Sequence, residues 1–387
     1  MRKRIAWIMA LALVLLCGCT GGKQELETAQ AELEAAKQEV AELQLMVSEQ
    51  EQMQRALEEE NAALKTELSD LGAQIDQLAQ DFYDLTSLKP AEESCAAGTM
   101  TTALSDGEQL YIDASILGGP FAEAYCREQN GTDYVQLEYA CQRLGLYQGQ
   151  TPEGVRLIAR QKHPEPSAEG RTVPVLMYHA VSDEVWGQED LFVSPADLEN
   201  QLRYLEREGY ESIWFEDLAH LEDYEKPVLL TFDDGYEDNY LEMLPLLQKY
   251  QAKVTIFVIG SMLHDRQYFM NEDQVREMVD SGLVSIQSHT YSHHKLSDLS
   301  ESDIETELET SRTAIAAVTG ELPYVISYPN GGRTDFVLST ARALYAFGVS
   351  TEEGCYVTGT SRVDIPRYKV WRETSLQEFA DILEQAQ

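Results

Sequence analysis

Hydrophobic and polar residues follow three different patterns along this chain, and each pattern covers a different stretch. From residue 24 to 89 apolar residues recur at intervals of three and four between Glu, Gln and Ala, which predicts a long helix. Short strand-like runs broken by Gly, Asp and Asn follow from 94 to 160. From 172 to 387 apolar runs alternate with amphipathic segments. A chain of 387 residues with three patterns is expected to form several units.

The first pattern is a heptad repeat. With Leu26 at position a, the a positions hold Leu33, Val40, Val47, Leu68, Ile75 and Phe82, and the d positions hold Leu43, Leu57, Leu64, Leu71, Leu78 and Leu85. Gln54 and Asn61 fall at a, where a buried polar residue can fix the register and the number of helices. We therefore expect residues 24–89 to form a coiled-coil stalk that makes the protein a homo-oligomer. A single acidic helix is the alternative, and Lys89-Pro90 is expected to end the helix in either case.

The N-terminus has the features of an export signal. A basic start, Met1 to Arg4, precedes an apolar stretch from Ile5 to Leu16. The following Leu16-Cys17-Gly18-Cys19 resembles a bacterial lipobox. Residues 1–19 are therefore expected to be a lipoprotein signal peptide with Cys19 as the lipidation site, which would anchor the protein in the membrane on the extracytoplasmic face. An uncleaved membrane anchor and ordinary secretion are the alternatives.

The stretch from 94 to 160 predicts a small α+β module. Strand-like runs at 107–113 and 132–138 precede a short helix at 139–145, and no catalytic constellation accompanies them. A spacer or a wall-binding module is therefore expected, with 161–171 as a Pro-containing linker. Three of the six cysteines, Cys95, Cys126 and Cys141, allow one disulfide here, but their pairing is open. The formal net charge of −38 argues against a nucleic-acid partner.

The segment from 172 to 387 has the alternation of an α/β fold. Strand-like runs at 173–178, 228–232 and 254–259 alternate with helical patterns at 195–207 and 241–250. Such alternation predicts parallel strands joined by crossover helices. The fold class expected is α/β, a distorted or incomplete (β/α) barrel whose site lies at the carboxyl ends of the strands.

Two motifs in this segment carry chemistry. Asp233 and Asp234 follow one strand-like run, and His289 and His293 follow another. Neighbouring residues that leave a strand point in different directions, so one carboxylate can bind a metal while the other faces a water molecule. Asp234 with the two imidazoles, which share one face if the segment turns helically, would supply three ligands and leave a position open, as in catalytic zinc sites. Each motif alone is commonly a turn or a solvated face, and only their combination indicates a hydrolase.

Thr231-Phe232-Asp233-Asp234-Gly235 and His289-Thr290-Tyr291-Ser292-His293 resemble the first two motifs of the NodB-homology polysaccharide deacetylases, carbohydrate esterase family 4. The resemblance runs from about Arg171 to the C-terminus. It implies a distorted barrel, one divalent metal held by Asp234, His289 and His293, and Asp233 as the general base. Zinc is the metal expected first, and Co, Ni, Mn and Fe suit the same ligands.

The chain departs from the family pattern at two places. No Arg precedes Pro329 in the region of the third motif, and no His follows His294 to serve as the usual general acid. The strand-like run that ends in Tyr178-His179 resembles the subgroup that deacetylates poly-β-1,6-N-acetylglucosamine, which implies His179 as the acid; a locally bonded strand-end His is the alternative. Arg367 is the candidate to replace the missing Arg, and a surface Arg is the alternative reading.

The expected function is metal-dependent hydrolysis of acetamide groups on an extracellular N-acetylhexosamine polymer. Backbone at Tyr236 and after Asn330 is expected to donate to the tetrahedral oxyanion. The aromatic residues Trp186, Tyr236 and Trp371 are candidates to stack on sugars. Peptidoglycan deacetylation and O-acetyl ester hydrolysis are alternatives. A non-catalytic, glycan-binding envelope lipoprotein is the alternative of another class.

Overall fold

The computed structural model of the protein describes residues 23–85, 88–98, 100–117, 121–167, 169–264 and 266–385. The expected signal peptide and lipidation site, Cys19, lie outside these residues. None of the helices described is both long enough and apolar enough to cross a lipid bilayer. The chain divides into two compact units, Met1–Thr86 and Ser87–Gln387.

The first unit contains one helix, α1, from Lys23 to Leu85. It ends four residues before the predicted stop, because Lys89 and Pro90 already belong to the first strand of the next unit. Five residues of the heptad positions expose between 38% and 69% of their surface: Val47, Leu57, Leu64, Leu68 and Leu71. The helix therefore exposes apolar residues at heptad positions between Val47 and Leu71, and the coiled-coil stalk stays a prediction.

The second unit opens with a seven-stranded sheet in the order β4-β5-β3-β2-β1-β7-β6. Its strands are β1 Lys89–Ala96, β2 Met100–Ser105, β3 Leu110–Asp113, β4 Cys126–Gln129, β5 Thr132–Gln136, β6 Tyr147–Gln150 and β7 Arg156–Ala159. Two helices accompany it, α2 Ala114–Leu117 and α3 Leu137–Leu144. The sheet begins five residues earlier than predicted, and α3 begins at Leu137 because Leu137, Ala140 and Cys141 pack into the core of this small domain. Among the described cysteines no disulfide forms.

The small domain packs directly on the domain that follows it in the chain. The backbone of Arg160 donates to the carbonyl of Gly320 and accepts from the amide of Leu322 at 2.9 and 2.8 Å. Gly98 and Gly320, both in the left-handed region, bring their backbones so close that a Cβ on Gly98 would lie 3.1 Å from the Gly320 nitrogen. The segment predicted as a linker is also held, since Lys162 Nζ lies 2.7 Å from a carboxylate oxygen of Glu216.

The second domain is built on an eight-stranded sheet in the order β17-β16-β15-β14-β13-β9-β19, with β12 paired to β13. All its pairings are parallel. The strands of the domain are β8 Thr172–Val173, β9 Val175–Tyr178, β10 Ala180–Val181, β11 Phe192–Val193, β12 Glu211–Ile213, β13 Pro227–Phe232, β14 Val254–Val258, β15 Val284–Ser288, β16 Val325–Ser327, β17 Phe347–Val349, β18 Tyr356–Val357 and β19 Tyr368–Lys369. Its helices are α4 Pro195–Glu208, α5 Leu244–Tyr250, α6 Glu272–Asp280, α7 Glu301–Thr319, α8 Asp335–Leu344 and α9 Leu376–Gln385. The predicted incomplete (β/α) barrel is confirmed.

Strand residues alternate between two apolar layers, which fixes the direction of the catalytic side chains. Leu230 and Phe232 belong to the cluster between the sheet and its helices. Leu229 belongs to the cluster inside the barrel. Thr231 and Asp233 share the alternation of Leu229, so they point toward the barrel axis at the end of β13.

Candidate active site

Strand register brings the predicted site residues to one edge of the sheet. The last residues of β9 and β13, Tyr178 and Phe232, are paired. His179 and Asp233 follow them directly and therefore leave the sheet side by side. Ser288, at the end of β15, is paired with Ile326 of β16, which sets His289 next to Ser327 in the same way.

Asp233 is held by a buried arginine. Arg367 Nη1 and Nη2 each lie 2.7 Å from a different carboxylate oxygen of Asp233. Asp233 Oδ2 also accepts from the hydroxyl of Ser327 at 3.1 Å. Burial alone would raise the pKa of Asp233, but the Arg367 guanidinium and the nearby imidazoles of His289 and His179 together hold the pKa of this carboxyl well below its usual range. The arginine expected to replace the missing one thus lies on the expected base, and it is not the surface arginine of the alternative.

Asp234, His289 and His293 converge. Their potential ligand atoms all lie within 4.8 Å of one another. Asp234 Oδ1 lies 3.4 Å from His289 Nε2 and 3.3 Å from His293 Nε2. An ion about 2.0–2.1 Å from tetrahedral ligands separates neighbouring ligand atoms by about 3.3 Å, so these spacings fit a zinc-sized ion.

Two further observations favour a cation at this position. Asp234 Oδ1 is buried and receives no hydrogen bond from the described residues, which is costly for a carboxylate unless an ion satisfies it. The Nδ1 atom of His289 lies 2.8 Å from the carbonyl oxygen of Ser327. A carbonyl can only accept, so Nδ1 carries the proton and Nε2 keeps its lone pair toward Asp234. The three residues can therefore hold a divalent metal.

The His segment is a loop and not the helical turn considered above. Thr290 and His293 have φ values of +63° and +61°, and Asp234 has +76°, a backbone region that non-glycine residues rarely adopt. Such strain persists only where the surroundings enforce it. Here the Thr290 hydroxyl accepts from the His293 amide at 3.1 Å. Left-handed backbone at Thr290 and His293 brings the imidazole rings of His289 and His293 together without a helical turn.

Glu307 of α7 anchors this loop from behind. Its Oε2 atom accepts from the amides of Tyr291 and Ser292 at 3.1 and 2.9 Å, and its Oε1 accepts from the Ser292 hydroxyl. The carboxylate thus fixes the backbone between the two histidine ligands. Nothing in the local sequence pattern marked Glu307, because it lies on an ordinary acidic helix.

His179 is partly exposed at the end of β9. Burial lowers the pKa of His179 and outweighs the opposing effect of the Asp233 and Asp234 carboxylates nearby. Two residues that follow the Asp-Asp motif hold the backbone from His179 to Val181. Asn239 Nδ2 donates to the carbonyl of His179, and Asp238 Oδ1 accepts from the amide of Val181, both at 3.0 Å. The segment that carries the expected acid is therefore tied to the segment that carries the expected base.

The two groups expected to bind the oxyanion differ. Tyr236 faces Phe269 across an isolated antiparallel bridge. The hydrogen bonds of this bridge come from the neighbouring amides of Glu237 and Met270, so the Tyr236 amide takes no part in it. After Asn330, in contrast, the amide of Gly331 donates to Tyr328 and that of Gly332 to Pro329 within the same turn. The expectation that the backbone just after Asn330 donates to the oxyanion is therefore wrong for these two amides, because the tight turn uses them.

Ser327 is the main site residue that the sequence analysis missed. Its hydroxyl contacts both Asp233 and Arg367, and its carbonyl fixes the tautomer of His289. The available signal was its position two residues before Pro329, in the motif region where the Arg of the family pattern is missing.

Comparison with known proteins gives the class. A family model described as polysaccharide deacetylase matches residues 221–346. The Bacillus subtilis (strain 168) protein "Putative polysaccharide deacetylase YxkH" is 30% identical over 258 residues, which are 64% of this chain and 88% of that protein. The crystal structure of a polysaccharide deacetylase from Bacillus cereus shares 32% identity and superposes with a TM-score of 0.53 over 55% of this chain and 69% of that one.

A third relative is the poly-beta-1,6-N-acetyl-D-glucosamine N-deacetylase of Escherichia coli (strain K12). It is 32% identical over 138 residues, which are 31% of this chain and 20% of that protein. The match thus spans one fifth of the length of this relative.

Fold, site and relatives agree on a hydrolase built on an incomplete (β/α) barrel. The chain belongs to the polysaccharide deacetylase family and is a carbohydrate deacetylase. The prediction of an enzyme is confirmed, and the non-catalytic alternative is set aside.

Proposed function

We propose that this enzyme hydrolyses the acetamide groups of an extracellular N-acetylhexosamine polymer, with poly-β-1,6-N-acetylglucosamine as the substrate. The observation that carries this proposal is the position of His179 beside Asp233, at the paired ends of β9 and β13. An acid on the first barrel strand is the arrangement of the subgroup that the sequence resembles. The similarity to the Escherichia coli enzyme supports the same substrate.

Asp233 is the general base of the proposed mechanism. Its pKa lies well below the usual range, so it is ionised at neutral pH and can accept a proton from a water molecule. Arg367 and Ser327 hold its two oxygens in one orientation. A divalent ion held by Asp234, His289 and His293 would polarise the acetyl carbonyl and acidify the water, which a carboxylate of low basicity needs.

His179 is the general acid. An amine leaves poorly unless it is protonated, and the imidazolium form of His179 beside the base would supply that proton. Asn239 and Asp238 keep the backbone of this residue beside the base. The Tyr236 amide, which the bridge to Phe269 does not use, would donate to the oxyanion.

Zinc is the metal that we propose for the site. One carboxylate oxygen and two imidazole nitrogens at tetrahedral spacing suit zinc, and the same donors accept Co, Ni, Mn and Fe.

Acetate release tests the proposed substrate. We would incubate the zinc-loaded protein with poly-β-1,6-N-acetylglucosamine, with peptidoglycan and with an O-acetylated glycan, and use Asp233→Asn as the matched control. Release from the first polymer that falls by about 100-fold or more in the variant supports the proposal. Release from peptidoglycan or from O-acetyl esters alone would establish one of the alternatives instead.

We also propose that the chain is lipid-anchored through Cys19 on the outer face of the cell membrane. The basic and apolar stretches before the Gly18-Cys19 pair support this location. The substitution Cys19→Ala should move the protein from the membrane to the soluble fraction, which membrane fractionation measures. An unchanged membrane fraction would contradict the lipid anchor.

A further inference from the structure

Two loops beside the site stack one aromatic ring on another. Trp186, between β10 and β11, and Tyr268, between β14 and α6, lie with ring centroids 4.3 Å apart and planes 7° from parallel. Phe192 and Tyr236 meet Trp186 edge-on at 4.9 and 4.7 Å. Trp186 is thus fixed on several sides, while Tyr268 leaves 40% of its surface exposed. We call Trp186 and Tyr268 the aromatic platform.

Backbone contacts attach the aromatic platform to the catalytic motif. The amide of Met270 donates to the carbonyl of Gly235 at 3.1 Å, and the amide of Glu237 donates to the carbonyl of Tyr268 at 2.8 Å. Tyr268 has a φ of +72°, which this bridge must enforce. Gly235 has a φ of +80°, and a Cβ there would lie 2.8 Å from Val258 Cγ1, so glycine is required. The platform therefore keeps a fixed position relative to Asp234, the residue before Gly235.

Tyr236 connects the platform to the reacting centre. Its ring is the one that contacts Trp186 edge-on. Tyr236 follows Asp234 by two residues, so its ring places the platform beside the catalytic motif.

We propose that the aromatic platform is a subsite that stacks on the pyranose ring next to the unit being deacetylated. This proposal rests on the proposed function and deepens it. A pyranose has a flat face of C–H groups that packs on an aromatic ring, and a ring already held by Trp186 loses little entropy on binding. A substrate must then span at least two sugar units to use both the platform and the metal site.

The test compares long and short substrates. Zinc-loaded wild type, Tyr268→Ala and Trp186→Ala would be assayed on an N-acetylglucosamine pentamer and on p-nitrophenyl acetate, which is too small to reach the platform. We expect each variant to raise KM for the pentamer by about 5- to 10-fold with kcat within about twofold, and to leave the small ester unaffected. Tyr268→Phe, which keeps the ring, should behave as wild type.

Tyr125→Ala is the matched control, because Tyr125 is 43% exposed and stacks on Tyr139 in the small domain, outside the site. It should leave both substrates unaffected. If Tyr268→Ala fails to fold, Tyr268→Leu, which keeps an apolar contact with Trp186 but no flat ring, is expected to raise KM for the pentamer in the same way.

An unchanged pentamer KM in folded variants, or an equal loss on both substrates, would overturn the subsite while leaving the deacetylase in place. Hydrolysis of the small ester by wild type without any release from the pentamer would overturn the proposed function itself, and the subsite with it.

Discussion

Arg367 and Asp233 form a bidentate ion pair across 134 residues of sequence, with both nitrogen-to-oxygen distances at 2.7 Å. Both side chains are buried, at 0% and 3% exposure. The other guanidinium donors are also used, by Thr231, Ser327 and the carbonyl of Ser350. A buried pair with all its donors satisfied fixes the orientation of the carboxylate.

The first prediction concerns this pair. Arg367→Met leaves a buried carboxylate without its cation, so we expect the free energy of unfolding to fall by about 3–5 kcal/mol and acetate release to be lost. Arg367→Lys keeps the charge without the fork and should give an intermediate result. Urea unfolding measures the stability. Arg362→Met, which breaks a surface pair with Glu165, should cost less than about 1 kcal/mol, and equal costs for both arginines would contradict the account.

The second prediction concerns Glu307, which holds the loop between the two histidine ligands. We expect Glu307→Gln to weaken zinc binding by about 10- to 100-fold, because the loop needs this carboxylate to keep its left-handed residues in place. Isothermal titration of the metal-free protein with zinc measures the change. Glu305→Gln, an exposed position on the same helix, should bind zinc as wild type does. Unchanged zinc affinity in Glu307→Gln would show that the loop keeps its conformation without this carboxylate.

The third prediction concerns pH. Burial raises the pKa of Asp238 from 3.8 to about 6. A raised pKa in the folded state contributes stability that is fully present below pH 4 and is lost as the pH rises through about 6. We therefore expect Asp238→Asn to gain stability relative to wild type between pH 4 and 7.5, by up to about 3 kcal/mol. Urea unfolding at pH 4, 6 and 7.5 measures this, and a difference that stays constant with pH would contradict it.

The fourth prediction concerns α1. Leu64 and Leu71 expose 50% and 53% of their surface at d positions of the heptad repeat. If the helix forms a coiled coil, Leu64→Lys with Leu71→Lys should convert an oligomer into a monomer, because charges at d positions oppose helix association. Sedimentation equilibrium measures the mass. Glu59→Lys, at an outward position, should leave the mass unchanged, and a monomeric wild type would rule out the oligomeric stalk.

The sequence predicts those parts of the site that lie in short motifs. Asp234 and His289 lie just after β13 and β15, whose ends meet at one sheet edge, and His293 is four residues further along the same loop. The arginine partner was found because the expected Arg was missing and Arg367 preceded a strand. The position of Ser327 two residues before Pro329 marked it, but its contacts with Asp233 and Arg367 could not be predicted, since they depend on the register of β16 against β15.

Left-handed backbone was equally hidden from the sequence. The spacing of His289 and His293 alone predicted a helical turn. In the structure Thr290 and His293 adopt φ values near +60°, and Glu307 of α7 holds the loop between them. The backbone after Asn330 was expected to donate to the oxyanion, although the amides of residues 331–332 close a turn. Contacts with a distant helix decide the conformation in the first case, and a local turn uses the amides in the second.

Zinc titration of chelator-treated protein, followed by acetate release from poly-β-1,6-N-acetylglucosamine, tests the central claim most directly. The account predicts that activity rises with added zinc and reaches its maximum at one ion per chain, and that Asp234→Ala neither binds zinc tightly nor releases acetate. Full acetate release without any metal, or zinc binding that Asp234→Ala leaves unchanged, would contradict it.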